Sequence, residues 1–222
     1  MTITRRGFLC MVLATVPFRF VWSQTESSCS AGEVCVTVGL AGPFTGAYAG
    51  VGPDLLMGAD RAMKILAQDG VRLNIITLDT RGTPDGALTA IEEGITTEHV
   101  DIVVGAIGDP VMGALTDRNS DTLFVDIGEY RTAKTAESSE NSMTFSANNI
   151  VGDVMAAQRA LNINSSHGYQ SFITLEAIGT LYSQNRTASA TELVGLLTAE
   201  SVDTSTGSAS VSDGRLEFVV KD

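Results

Sequence analysis

The stretch VTVGLAGPFTGAYAGVG, from Val36 to Gly52, decides the fold of this chain. Val34 to Leu40 is a β-branched apolar run of the kind that forms a central parallel strand, buried on both faces. A small, Gly-rich, hydroxyl-bearing loop follows, and Pro53 to Gln68 then carries Leu55, Leu56, Ala59, Ala62, Met63 and Leu66 at helical spacing. The loop falls at the carboxyl end of the strand, where open α/β sheets hold small molecules. The first expectation is a chain that binds a ligand rather than one that transforms it.

Working outward, the same unit repeats. Asp69-Gly70 ends the first helix with a residue at ease in the left-handed region, and Val71 to Leu78 is a second strand. Thr83-Pro84 reads as N-cap and first helical residue, opening a helix whose Ala87, Ile91 and Ile95 form a buried stripe. Asp101 to Gly105 gives a third strand, and Asp109-Pro110 again starts a helix, through Met112 and Leu115. Thr122 to Ile127 is the fourth strand. Gly128 to Asn141 is polar and aperiodic, hence a loop. Ser142 to Ala147 reads as a fifth strand and Asn149 to Leu161 as a helix. Repeated βα units with short connections predict an α/β fold with a doubly wound, mostly parallel sheet.

Composition excludes other classes. At 222 residues and 44% hydrophobic the chain buries a real core. Its formal charge is −12, and no Lys/Arg cluster exists beyond the first residues, so nucleic acid is not an expected partner. The acidic balance favours solubility. Residues 1–23 read as a leader. Arg5-Arg6 stands just before Phe8-Leu9 and an apolar run to Phe18 that is too short to span a bilayer. This resembles a twin-arginine export signal, with Val21-Trp22-Ser23 as the cleavage region, which implies a periplasmic product; the alternatives are a short N-terminal membrane anchor and a fortuitous arginine pair. Removing Arg5, Arg6 and Arg19 takes the charge from −12 to −15. Cys10 leaves with the leader, while Cys29 and Cys35 remain in an oxidising compartment. They either close a small disulfide loop that pins the tail, residues 24–33, to the first strand or persist as two thiols.

In order along the chain, GLAGPFTGAYAGVG, GADRAMKILAQDGV, DTRGTPDGALTAIEEGI and VDIVVGAIGDP resemble the N-terminal lobe of the type I periplasmic solute-binding proteins of the leucine/isoleucine/valine-binding kind. The tail resembles the end of the same family. Gly168-Tyr169-Gln170-Ser171-Phe172 opens a helix with an apolar stripe of Phe172, Leu175, Ile178 and Leu181. A helix over Ala190 to Thr198 follows, and then TGSASVSDGRLEFVV. The resemblance implies an α/β lobe over 34–148, a crossover or remnant of a second lobe over 149–166, helices completing the first lobe over 167–206 and a terminal hairpin over 207–222. Asp213-Gly214 favours that hairpin, and whether it joins the main sheet stays open. Most of the family's second lobe, which closes over the ligand by a hinge, has no counterpart.

The family's ligand positions carry over one by one. Thr45, Gly46, Ala47 and Tyr48 offer a hydroxyl, backbone N–H groups and an aromatic wall, or else ordinary loop packing. After the third strand the family places serines for a ligand carboxylate, but here stand Ala106-Ile107-Gly108-Asp109. Asp109 is read as a ligand-facing carboxylate or, more simply, as the N-cap before Pro110. After the fourth strand come Asp126, Gly128 and Glu129, where two carboxylates either meet an amine or remain solvated loop charges. Catalytic patterns fail. His99 and His167 lack partners at metal spacing, no G-x-S-x-G elbow occurs, and Asp79, ending a strand before Thr83-Pro84, reads as loop structure. No enzyme, metal or cofactor is expected. The resemblance implies recognition of a small, polar, amino-acid-like solute in connection with an ABC-type permease. The alternatives are a one-lobe sensor or interaction module and a degenerate binder without ligand. Surface left uncovered by the absent lobe would favour self-association.

Overall fold

The computed structural model describes residues 34–105, 107, 109–116, 118–119, 121–128, 140–185 and 188–221. The leader, the 24–33 tail and Cys29 lie outside them. Cys35 is disulfide-bonded. None of the described helices is long and apolar enough to cross a membrane.

The decisive apolar run is β1 (Val34–Gly42), and it lies in the sheet interior because both of its edges are paired. It runs parallel to β2 (Val71–Asp79) from Val34↔Val71 to Gly42↔Asp79 and parallel to β3 (Ile102–Gly105) from Val38↔Ile102 to Ala41↔Gly105. β4 (Leu123–Asp126) and β5 (Ser142–Thr144) extend the parallel series. Helix α1 (Val51–Leu66) lays Leu55, Ala59, Ala62 and Leu66 on one face of the sheet. The other face is covered by α2 (Pro84–Thr97), through Ala87 and Ile91, and by α3 (Asp109–Thr116), through Val111, Met112 and Leu115. The Thr83 side chain accepts the Gly86 N–H and Pro84 sits in the first turn of α2. Alternation along the strands splits the core in two. Val38, Leu40, Ile102 and Val104 face α1, whereas Ala41, Val103 and Phe124 face α2 and α3.

The expected helix over 149–161 is corrected. Ala147–Asn149 is a 3-10 turn, and Ile150–Val151 forms β6, paired with Phe218 and Val219. Helix α4 (Val154–Leu161) begins only after Gly152, whose φ of 118° breaks the chain direction, and after Asp153, whose side chain caps Ala156 N–H. The fifth strand likewise stops at Thr144 rather than Ala147. Residues 145–165 therefore lead from β5 directly to α5 (Ser166–Gln184). The Ser165 side chain caps this helix at Gly168 N–H, so His167 lies in its first turn and not in a loop.

Helix α5 departs most from expectation. A one-sided stripe was predicted, yet every residue from Gly168 to Gly179 is buried, Gln170, Ser171, Thr174 and Glu176 included. The helix lies between α1 and the C-terminal strands, so no side faces water. α6 (Ala190–Ala199) opens with a capping box of Ser189 and Glu192. β7 (Val202–Asp203), β8 (Gly207–Ser212) and β9 (Arg215–Val220) follow. Asp213 (φ 50°) and Gly214 (φ 69°) make the predicted hairpin turn. The hairpin also joins the main sheet, because β9 pairs with β5 at Thr144↔Arg215. The strand order is β2-β1-β3-β4-β5-β9-β8-β7, with β6 beside β9.

The α1–α5 contact depends on glycine. A Cβ on Gly58 would meet Gly168 O at 2.0 Å and Phe172 N at 2.9 Å, both rigid backbone. Gly58→Ala is expected to cost about 1–3 kcal/mol in urea unfolding, as overpacking does. Gly195→Ala, where nothing lies within 4 Å, is expected to leave stability unchanged or raise it by up to about 1 kcal/mol. Equal losses at the two positions would contradict the close approach.

Candidate functional site

The strand register lines up four carboxyl ends. Gly42 pairs with Asp79, Ala41 with Gly105, and Gly105 with Asp126, so the loops after β1 to β4 form one crest. Two carboxylates organise it from below. Asp79 accepts the backbone N–H groups of Phe44 (3.1 Å), Thr45 (3.1 Å) and Arg81 (3.0 Å), together with the Thr45 hydroxyl. Asp126, 1% exposed, accepts Ile107 N–H at 3.1 Å and Gly128 N–H at 3.0 Å through Oδ1. Each ties the start of its own following loop to the end of a neighbouring strand.

The first loop is consequently fixed. Both the hydroxyl and the N–H of Thr45 are spent on Asp79. Gly46 (φ 87°) packs against Arg81, where a Cβ would stand 2.8 Å from the carbonyl oxygen, so this position requires glycine. Ala47 is exposed. Tyr48 is 60% exposed and lays one ring edge over Gly82. The loop thus turns Gly46, Ala47 and Tyr48 outward, while the N–H groups of Phe44 and Thr45 are bound inward by Asp79.

The second and third loops are described in part. Asp109 is the first residue of α3; Gly108 and Glu129 lie outside the described residues. Asp126 is not the solvated charge that one reading of the sequence offered, since it is buried and hydrogen-bonded. Gly128 donates to it. The crest thus brings Thr45, Gly46, Ala47, Tyr48, Asp126 and Gly128 together. Asp79 was seen in the sequence as loop structure, but its hold on the opposite loop was not. That role depends on the Gly42↔Asp79 register, which only strand pairing reveals. His99 is exposed at φ 52°, and no cluster of three or more His, Cys, Asp or Glu that could hold a metal occurs among the described residues.

Partial burial pushes the Asp79 carboxyl up, but hydrogen bonds from the Thr45 hydroxyl and the Arg81, Thr45 and Phe44 N–H groups outweigh it and hold it below 3.8. A depressed carboxylate stabilises the fold above its unfolded-state value and loses that contribution as pH falls through the folded one. Asp79→Asn is expected to weaken the loss of stability on acidification below about pH 4, read by thermal unfolding at stepped pH. Asp79→Ala is expected to cost about 2 kcal/mol at neutral pH by leaving three N–H donors without their acceptor. Wild-type acid sensitivity in both variants would contradict the anchoring role.

The pattern of the periplasmic binding protein family matches residues 35–212. An ABC transporter structure from Rhodopseudomonas palustris is similar, at 10% identity and a TM-score of 0.60, covering 84% of this chain and 96% of that one. The amino acid ABC transporter substrate-binding protein from Pseudomonas fluorescens Pf-5 aligns at 11% identity and a TM-score of 0.51, over 82% of this chain and 88% of that one. The ABC transporter substrate-binding protein from Sphaerobacter thermophilus shares 17% identity at a TM-score of 0.44; 64% of this chain is covered, and the match spans 43% of that protein's length. No curated protein matches the chain. The family pattern begins in β1 and ends in β8, covering all the loops of the crest, and on that ground this chain belongs to the periplasmic binding protein family.

Proposed function

We propose that this protein recognises a small, polar, amino-acid-like solute at its crest and serves an ABC-type uptake system. It is exported under the Arg5-Arg6 leader, and Cys29 is the partner of the disulfide at Cys35. The observation that carries the reading is the first loop. Its backbone is locked through Asp79, and Gly46, Ala47 and Tyr48 project outward at the carboxyl end of β1. In this assignment Tyr48 forms the wall and the loop N–H groups supply polar contacts. Gly108, Asp109, Gly128 and Glu129 contribute from the neighbouring loops. Thr45 and Asp126 shape the rim, and the acidic residues favour a solute that bears an amine.

A second reading is favoured by one specific feature. Residues 145–165 lead from β5 to α5 through short elements only, which supports a one-lobe reading in which none of the described residues closes over the crest. Tight sites bury about 70–90% of a ligand, and a single wall forfeits part of that. The expected affinity is millimolar, unless a permease or a second copy of the chain covers the solute. Without cargo delivery, the same lobe serves as a sensor or interaction module.

A thermal-shift screen of the mature protein with amino acids, amides and polyamines separates the two, paired with light scattering. At a ligand concentration ten times a millimolar Kd, linkage gives about 1.4 kcal/mol, or a rise of about 3–5 °C in Tm. Tyr48→Ala is expected to abolish that rise with no change in unliganded Tm. No shift with any class, together with stable dimers, would support the module reading and sink the first.

A further inference from the structure

Helix α5 carries a second polar feature, against the C-terminal strands. Tyr169 and Glu176 are seven residues apart, two turns on one helical face, and both are buried (0% and 2% exposed) against the turn between β7 and β8. Oε1 of Glu176 accepts Ser205 N–H at 2.6 Å. The Ser205 hydroxyl also acts on this carboxyl, but its Oε2 makes no hydrogen bond, and neither does the hydroxyl of Tyr169 or of Thr206. The last two are neighbours whose geometry falls short of a bond. The turn itself is held by Thr204 N–H to Gly207 O and by Lys221 N–H to Thr206 O.

We infer that Glu176 is a proton-operated latch, closed when its carboxyl is neutral and loosened when it ionises, which fastens the β7–β8 turn to α5. A neutral carboxyl is content with one backbone donor in a buried site, whereas an ionised one there needs several donors or a cation. Among the described residues no cation acts on it. The titratable groups that do are Tyr169 on its own helix and Asp69 from the 3-10 turn after α1, and Asp69 raises its proton affinity further. On the other packed elements, Lys64 of α1 is paired with Asp60, Asp203 of β7 is exposed, and Lys221 follows β9. Desolvation first, then Asp69, holds the carboxyl above its ordinary 4.5 despite the bonds from Ser205. The folded chain therefore keeps the proton in a window where the loosened turn releases it, and the stabilisation is lost as pH rises through that window.

The test is amide exchange of Ser205, Thr206 and Gly207 across pH 4–9, corrected for intrinsic rates, alongside a carboxyl NMR titration of Glu176 in the unmodified chain. The opening constant of the turn is expected to rise by up to about tenfold per pH unit above 4.5 and to level off at the measured inflection. Glu176→Gln keeps the acceptor for Ser205 N–H and is expected to show no such slope. A carboxyl that titrates at or below its ordinary value, an opening constant indifferent to pH, or an equal slope in Glu176→Gln overturns the latch. Should the variant not fold, the titration and exchange of the unmodified chain decide alone.

Discussion

The structure depends on the burial of α5. This helix lies after residues 145–165 and fills the space between α1 and the C-terminal strands, adding Tyr169, Phe172, Ile173, Leu175, Ile178 and Leu181 to the larger half of the core. Its approach to α1 is close enough for backbone to meet backbone at Gly58 and Gly168. The Ser171 hydroxyl donates to Leu55 O, and Gln170 donates to Phe145 O. A helix with no solvent face stays helical only when its polar groups find partners, and these two bonds provide some of them. Removing α5 would uncover one face of β1 and β3 together with the buried side of α1. The single lobe holds together on the strength of this contact.

A rim built on such a lobe is stiff by construction. Asp79 and Asp126 are both strand-end carboxylates, the residue type most often suspected of chemistry in an α/β protein. Here both are used inward, as acceptors for loop N–H groups. Backbone N–H dipoles stabilise the charge of each, and neither carboxylate is fully exposed. In the proposed reading, recognition falls to what the loops turn outward, above all Tyr48 and the backbone around Gly46.

Much of this was legible in the sequence because the parallel sheet is a local design. The apolar run Val34 to Leu40, the Thr83-Pro84 helix start and the Asp213-Gly214 turn each carry their conformation in their own residues. What was not legible depends on pairing between distant segments. Ile150-Val151 carried no strand signal of its own and becomes β6 only because Phe218 and Val219 lie alongside. Gln170 and Glu176 are polar residues in a helix, and only contacts with distant segments, Phe145 O for the first and the β7–β8 turn for the second, account for their burial. At the crest, the outward residues of the first loop were visible from the Gly-rich pattern. The commitment of Thr45 to Asp79 was hidden, because it follows from a strand register.

Native-state amide exchange of α5 and β1 under increasing denaturant tests the central claim most directly. If α5 completes the lobe, amides from Phe172 to Ile178 will exchange with the same free energy and denaturant dependence as those of Val36 to Leu40, through one global opening. Exchange of α5 at markedly lower free energy, while β1 stays protected, would mean that the lobe stands without this helix and would contradict the account.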